Sequence, residues 1–504
     1  MVFGALYLAM PPSPDQFNHM YLGWRWLNGD RLYVDVIDMN WPGTLAAHAL
    51  SVAIFGTHLW SWRAFDLACF ALTCICLNDI TAQAAGQRVA RVFVVLAPAT
   101  YVAHGYWMGG QHDMGAAQCL VLGLWCWLRS QASPRHRYTL AAGAVFGLAM
   151  LYKPTVGVVF LLLPLHALWS RWGWRRALTG TLAAGLAALA TLLLAIVGVL
   201  ALGTPMSALV DATYTFNSYG RVDNATSWDD LAGIANWKPV LLVVLCAPAI
   251  KRLWFSPPGT AAGASLAVLV ATGLLSYLAQ GAGLHYHLAP AVLAFMPIAA
   301  ILVVSAWEAW TQGRAPLSTR LGLGALAVAL LSGTAFRVAV IFQGLPQALF
   351  SGDYHHHLAR FAENDGLTLA DVSTFVRHIE ATDTSACVLS VGWGSAINVL
   401  SQRRQPTRFY YYPVILRSRP PLPMAQAWID LWEQDLAKAR CRYVLVATRA
   451  WQHEGVAGPE QASNALRKLL LQYDPVGELG TDGMTVYQRR TDTRPAAVAA
   501  ESLP

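Results

Sequence analysis

Apolar runs of spanning or near-spanning length recur along this chain, at about 62–82, 89–106, 112–131, 138–152, 153–171, 175–202, 237–251, 261–280, 287–309 and 320–344. A helix crosses the hydrocarbon core in about 20 apolar residues, so the pattern predicts a polytopic α-helical membrane protein. With Met1–Met10 and the shorter run 43–56 the total is about 11–12 membrane segments. Met1 to Met10 is too short to cross and lacks the basic start and small-residue cleavage site of a signal peptide. It reads as the outer end of a first, truncated helix whose beginning is missing from this sequence. Run 43–56 predicts a half-helix or a short, tilted span.

Polar punctuation orients these runs. Basic loops fall at Arg88/Arg91, Arg129 to Arg137, Arg171 to Arg176, Lys251/Arg252 and Arg314/Arg320. Positive loops stay cytoplasmic, which puts 105–112, 203–236, 281–287 and everything after about 345 on the outer side. Asp15 joins them if 43–56 does not cross. Beyond about 350 the pattern changes. Thr368 with Asp371 forms a capping box, and Val372, Phe375, Val376 and Ile379 mark one helix face. Short β-rich runs follow at Cys387–Val391, Arg408–Ile415, Tyr443–Ala447 and Met484–Gln488, with helical patterns at 424–440 and 462–473. That alternation predicts a small C-terminal α/β domain. The expected organisation is a membrane domain over 1–349 with outer loops 11–43 and 203–236, a soluble periplasmic α/β domain over 350–491, and a disordered tail at 492–504.

Composition agrees with that picture. Of the 504 residues 56% are hydrophobic and 12% charged, against about 25% charged in soluble domains. The net charge of +7 sits in short loops and gives no reason to expect nucleic acid. Six of the eight cysteines lie in apolar runs, as packing residues. Cys387 and Cys441 lie in the polar region, where a disulfide stays open. Gly392-Trp393-Gly394 is no dinucleotide fingerprint.

The candidate chemistry gathers in the outer loops. Ser13, Pro14 and Gln16 predict a helix start. Phe17, Met20, Tyr21, Trp24 and Leu27 then give an apolar face, with Asn18, His19, Arg25 and Asn28 away from it, as in a helix lying in the interface plane. Asp15 there is either a first-turn acid complementing the helix dipole, worth about 0.3–1 kcal/mol, or a catalytic carboxylate. Asp30, Asp35 and Asp38, interleaved with Tyr33 and Trp41, read as a sugar lining or as a solvated loop. His112-Asp113 opens the run 112–131 on the side of Asp15, so two acids from distant loops could share one cavity. Lys153 suits a lipid phosphate or a snorkelling anchor. Arg221, with Tyr214, Asn217, Tyr219, Asp223 and Asp229, could form a substrate lid, a weaker signal than the acids. His285-Tyr286-His287 suits phosphate or metal, and His355 to His357 are poorly arranged for one ion. No HExxH, GxSxG or Walker sequence is present.

Several short motifs together resemble the GT-C superfamily of polyprenyl-phosphate-sugar glycosyltransferases, in particular protein O-mannosyltransferases and lipid A aminoarabinose transferases. They are Asp15 after the first helix, Gly29-Asp30-Arg31-Leu32-Tyr33-Val34-Asp35, Asn40-Trp41-Pro42-Gly43, Phe55-Gly56 with Trp62-Arg63, His112-Asp113, and Gly147 with Tyr152-Lys153-Pro154. Val388 to Tyr412, with Arg404, Arg408 and Tyr410, looks like the periplasmic α/β domain of many bacterial members. Gly43 stands where that family has a second proline, and Asn40-Trp41 where it often has a basic residue. Phosphate recognition then falls to Lys153, Arg221 or His285.

The resemblance implies transfer of a sugar from a polyprenyl-phosphate donor to a periplasmic glycan, lipid A or protein acceptor, with inversion. Asp15 would be the general base. Asp113 would position the acceptor or help hold a divalent cation, should one be used. Asp30, Tyr33, Asp35 and Trp41 would line the substrate site. The implied location is a bacterial inner membrane, with membrane lipid a partner and nucleic acid not. Two other readings remain at this stage. One is a polymerase or ligase using lipid-linked polysaccharide. The other is a transporter or flippase, which predicts charged or broken segments in mid-membrane; Asp66 and Asp79 lie in or near an apolar run, but no internal repeat is visible.

Overall fold

Most of the apolar runs fold as helices, broken where the sequence places glycine, proline or charge. The computed structural model describes residues 2–132, 136–216, 260–280, 284–313, 316–362, 366–382, 387–392, 395–410, 423–447, 463–480 and 483–490. The membrane part runs α1 (Val2–Ala9), α2 (Pro14–Leu27), α3 (Pro42–Phe55), α4 (Ser61–Ala85), α5 (Gln87–Ala103), α6 (Gly105–Met108), α7 (His112–Ala132) and α8 (Arg137–Tyr152). A 3₁₀ turn (Pro154–Val158) leads into α9 (Val159–Trp169), then come α10 (Trp174–Ala201) and α11 (Met206–Val210). After the undescribed stretch come α12 (Thr260–Gln280), a 3₁₀ turn (His285–Leu288), α13 (Ala289–Gln312) and α14 (Leu317–Phe342).

Prolines at the first helical turn of α2, α3 and α13 are pre-set for helix entry. Among the described residues five helices are long and apolar enough to cross a membrane: Ser61–Ala85, Trp174–Ala201, Ala261–Gln280, Tyr286–Gln312 and Leu317–Ser351. The segment around α13 is the most enclosed, whereas α10 turns Leu186 and Leu194 outward. Outward leucines on a long apolar helix face lipid.

Run 43–56 becomes α3, a fourteen-residue helix shorter than those long and apolar enough to cross. Its first turn packs on the end of α8, since a Cβ on Gly43 would lie 2.7 Å from the Leu151 carbonyl carbon. Just past its far end the Thr57 hydroxyl accepts from Gln402 Nε2 of the C-terminal domain at 3.0 Å. Both ends therefore sit at the end of the bundle that carries that domain. Along its length α3 lies against α2, where a Cβ on Gly23 would meet the Ala49 amide nitrogen at 2.6 Å.

The expected polar face of α2 is buried instead. Asn18, His19 and Arg25 are all covered, because α2 lies between α3 and the C-terminal domain. That domain holds a four-stranded sheet of order β1 (Val388–Val391), β2 (Tyr443–Ala447), β4 (Met484–Arg489), β3 (Tyr473–Leu479). β1 and β2 are parallel; β4 runs antiparallel to both β2 and β3. Helix Leu369–Thr382 starts on the expected box: Thr368 N donates to Asp371 Oδ2 at 2.8 Å, and Asp371 N to Thr368 Oγ1 at 3.3 Å. Val372, Phe375, Val376 and Ile379 are buried as the periodicity requires. β3 was not expected. Of the run Arg408–Ile415, residues 408–410 are irregular rather than strand. Cys387 and Cys441 are joined by a disulfide, which ties the approach to β1 to the approach to β2. The run 237–251, most of loop 203–236 and the tail 492–504 lie outside the described residues.

Candidate active site

Four chain segments build the site. The link from α1 into α2 supplies Asp15, the loop 105–111 supplies Gln111, the first turn of α7 supplies His112 and Asp113, and the junction after α8 supplies Lys153. The turn at Gly109-Gly110 sets the second of these. Gly110 has φ +74°, a left-handed conformation, and a Cβ there would press on Trp62 Nε1 at 2.7 Å. The Gly109 carbonyl accepts from Gln16 Nε2 at 2.8 Å and from Arg63. Gln111 then donates from Nε2 to Asp15 Oδ2 at 3.1 Å. Asp15 is half-buried in the first turn of α2, below an N-cap at Ser13 whose N–H bonds Gln16 Oε1 at 3.0 Å. Asp15 is thus an acid of the first helical turn that also takes a bond from Gln111, while the capping is done by Ser13 and Gln16.

Asp113 is 3% exposed. Its Oδ2 lies 3.3 Å from Lys153 Nζ and 3.0 Å from His112 Nε2, with Lys153 Nζ and His112 Nε2 themselves 3.2 Å apart. Lys153 therefore turns inward rather than snorkelling to a headgroup. Tyr286 lies within electrostatic reach of both Asp15 and Asp113, and its ring centroid is 6.2 Å from that of His112. His19 stands 5.8 Å from His112, centroid to centroid, and 5.0 Å from His48. Burial lowers the His19 imidazole to about 3, with His112 adding and Asp15 opposing. His19 is thus neutral near pH 7.

Several buried atoms around this space lack a hydrogen-bond partner among the described residues: His19 Nδ1, His48 Nε2, Gln111 Oε1, His112 Nδ1 and His287 Nδ1. Buried polar groups are ordinarily satisfied, so this concentration marks a place where a polar molecule belongs. No group of three or more His, Cys, Asp or Glu among the described residues is arranged to hold a metal.

The other first-loop residues have structural partners. Asp30 takes Arg25 and, at 3.2 Å, Arg404 Nη1. Asp35 takes Arg31 at 2.9 Å, and that hydrogen bonding pulls its carboxyl below the ordinary range. Tyr33, at φ +64°, donates its hydroxyl to the Asn40 carbonyl at 2.7 Å. Trp41 is the N-cap residue of α3. Asp38, expected in a polar lining, is 2% exposed and held by Tyr410 of the C-terminal domain. Arg221, with its lid neighbours from Asn217 to Asp229, lies outside the described residues, as does the side chain of His285. Gln111 and His19 carry no motif in the sequence, and Asn40 stands in one only as part of Asn40-Trp41-Pro42-Gly43, so none of the three is marked there as a site residue.

The two acids flagged for the transporter reading are both partnered. Asp66 accepts from Tyr101 at 2.7 Å and Gln118 at 3.1 Å, and also from Tyr7. Asp79 accepts from Arg129 at 2.6 Å and Trp125 at 2.7 Å.

Residues 42–200 match the family model described as Dolichyl-phosphate-mannose-protein mannosyltransferase, a segment that includes Asp113 and Lys153. No curated protein matches the chain by sequence. Among solved structures, ArnT from Cupriavidus metallidurans bound to undecaprenyl phosphate is similar, with TM-score 0.60 and 13% identity over 97% of this chain and 96% of that one. The apo form of the same protein gives TM-score 0.54 and 14% identity over 96% and 95%. At that identity the likeness is one of fold: this chain has the fold of those ArnT structures, long apolar helices with a small C-terminal strand region.

Proposed function

We propose that this protein transfers a sugar from a polyprenyl-phosphate donor to an acceptor nucleophile at the outer membrane face, inverting the anomeric carbon, with Asp15 as general base. The observation that carries the reading is Asp15, a half-buried carboxylate held by Gln111 beside a group of buried polar atoms that lack partners among the described residues. Tyr286 lies within electrostatic reach of both Asp15 and Asp113, and Asp113 is bonded to His112 and Lys153. A phosphate is already a good leaving group, so the enzyme needs a base for the acceptor and positive charge for the departing phosphate. Asp15 takes the acceptor proton as the new bond to the anomeric carbon forms. The bond from that carbon to the phosphate oxygen breaks on the opposite face, and polyprenyl phosphate leaves. Lys153 lies beside that departure, and Asp113 fixes its ammonium.

The similar ArnT structure holds undecaprenyl phosphate, a lipid of the class proposed here. The Cys387–Cys441 disulfide fits a C-terminal domain outside the cytoplasm, which supports a periplasmic site in a bacterial inner membrane. Both Asp66 and Asp79 being satisfied takes away the feature that favoured a transporter.

Asp15→Asn tests the reading. With normal expression and membrane insertion, transfer from a polyprenyl-phosphate sugar should fall about a hundred- to ten-thousandfold. Parent turnover in that variant would remove Asp15 as the base.

A further inference from the structure

The C-terminal domain does more than rest on the bundle. Its segment 402–410 threads along the first loop: Gln405 N donates to Tyr21 Oη at 2.7 Å, Arg404 Nη2 to the Asn28 carbonyl at 2.8 Å, and Ile37 N to the Arg408 carbonyl at 2.9 Å. The last residue of this segment, Tyr410, is buried and donates its hydroxyl to Asp38 Oδ2. The second carboxylate oxygen of Asp38 accepts from Asn40 N at 2.6 Å. The Asn40 amide in turn lies 2.9 Å from His19 Nε2. His19 faces His112, which holds the Asp113–Lys153 pair.

We propose that Tyr410 is a positioning residue of the catalytic site, acting through Asp38, Asn40 and His19, so that the docked C-terminal domain completes the site. This rests on the glycosyltransferase reading above for its kinetic consequence, though not for its structural one. A carboxylate as buried as Asp38 is costly unless its oxygens are satisfied, and burial does push its carboxyl upward despite the bonds from Tyr410 and Asn40. Removing the Tyr410 hydroxyl strands Oδ2. The Asp38–Asn40 turn then loses its side-chain tie to the C-terminal domain, keeps only Ile37 N on the Arg408 carbonyl and Tyr33 Oη on the Asn40 carbonyl among the holds named here, and the register of Asn40 against His19 loosens.

The test compares four variants of the full chain in detergent or membranes, using turnover with a polyprenyl-phosphate sugar and hydrogen exchange of the backbone amides over 36–41. Tyr410→Phe should lower kcat about tenfold, the scale of one lost hydrogen bond to a charged group. The donor KM should stay within about twofold, because no uniform binding contact is removed. Exchange over 36–41 should rise about tenfold by the same hydrogen-bond estimate. Asp38→Ala should do the same. Asp38→Asn, which can still bond both Tyr410 and Asn40 N, should recover most of the loss. Arg404→Ala, which weakens docking at an exposed ion pair, should leave both measurements near the parent.

The proposal falls if either kcat or exchange in Tyr410→Phe stays at the parent level, or if Arg404→Ala matches that variant. A parent protein inactive on every polyprenyl-phosphate sugar would overturn the functional reading instead. The exchange comparison would still judge the relay.

Discussion

Arg63 is fully buried, and its guanidinium bonds the two segments that carry Asp15 and Gln111. Nε and Nη2 reach the Pro11 carbonyl at 3.1 and 2.6 Å, Nη2 the Tyr106 carbonyl at 3.0 Å, and Nη1 the Gly109 carbonyl. Only a planar fork serves so many acceptors at once. Arg63→Ala strands several carbonyls and leaves the nearby Asp66 without its counter-charge, so a loss of about 3–5 kcal/mol is expected in thermal unfolding. Arg63→Lys should also be strongly destabilised, since an ammonium cannot span the acceptors; a lysine variant of parent stability would refute the clamp.

A second residue-scale prediction concerns acid. His19 in the fold titrates at about 3 against an ordinary 6.5, so the unfolded chain binds the extra proton. The stability this contributes is fully present above pH 6.5 and is lost as pH falls toward 3. His19→Gln should flatten the fall of the melting temperature across that window, and an unchanged slope would argue against a buried neutral imidazole.

Residue roles were legible only where spacing carried them. His112-Asp113 and Lys153 were visible as polar residues at run ends, and they meet. Asp30 and Asp35, read as lining or as a solvated loop, pair with arginines five and four residues earlier in the chain, partners that the sequence already held. Gln111 was invisible, because its role comes from the Gly109-Gly110 turn rather than from its own type.

Elements were read best where hydrophobic periodicity decided them. The box at Thr368 and Asp371 and the strands β1, β2 and β4 follow directly from pattern. β3 hid itself: Tyr473–Leu479 carries Asp474, Pro475 and Glu478, is largely exposed, and lies at the sheet edge. Edge strands take proline and charge, so the composition that protects the edge also masks the strand. Cys387 and Cys441 lie 54 residues apart and were uncommitted in sequence; their strands run side by side and bring them together. Breaking that loop with Cys387→Ser should lower the stability of the C-terminal domain by about 2–4 kcal/mol. Unfolding followed with and without a reductant checks it: the parent should shift to the variant's midpoint on reduction, while the variant should not move.

At the scale of the molecule, the uncertain element was α3, and everything about sidedness turns on it. Hydropathy alone could not separate a fourteen-residue span from a helix that stays at one face. Tertiary contacts decide: α3 is pinned to α8 at its start and to Gln402 after its end, and it shares its length with α2. Asn28 and His58, which precede and follow α3 and are both exposed, must then face the same side of the membrane, while Gln87 at the far end of α4 faces the other. Single cysteines at these positions make the arrangement measurable. In intact spheroplasts a membrane-impermeant maleimide should label Asn28→Cys and His58→Cys, and should label Gln87→Cys only after permeabilisation. Labelling of Asn28→Cys and His58→Cys from opposite sides would mean that α3 crosses. It would also separate Asp15 from the C-terminal domain and undo the site built between them.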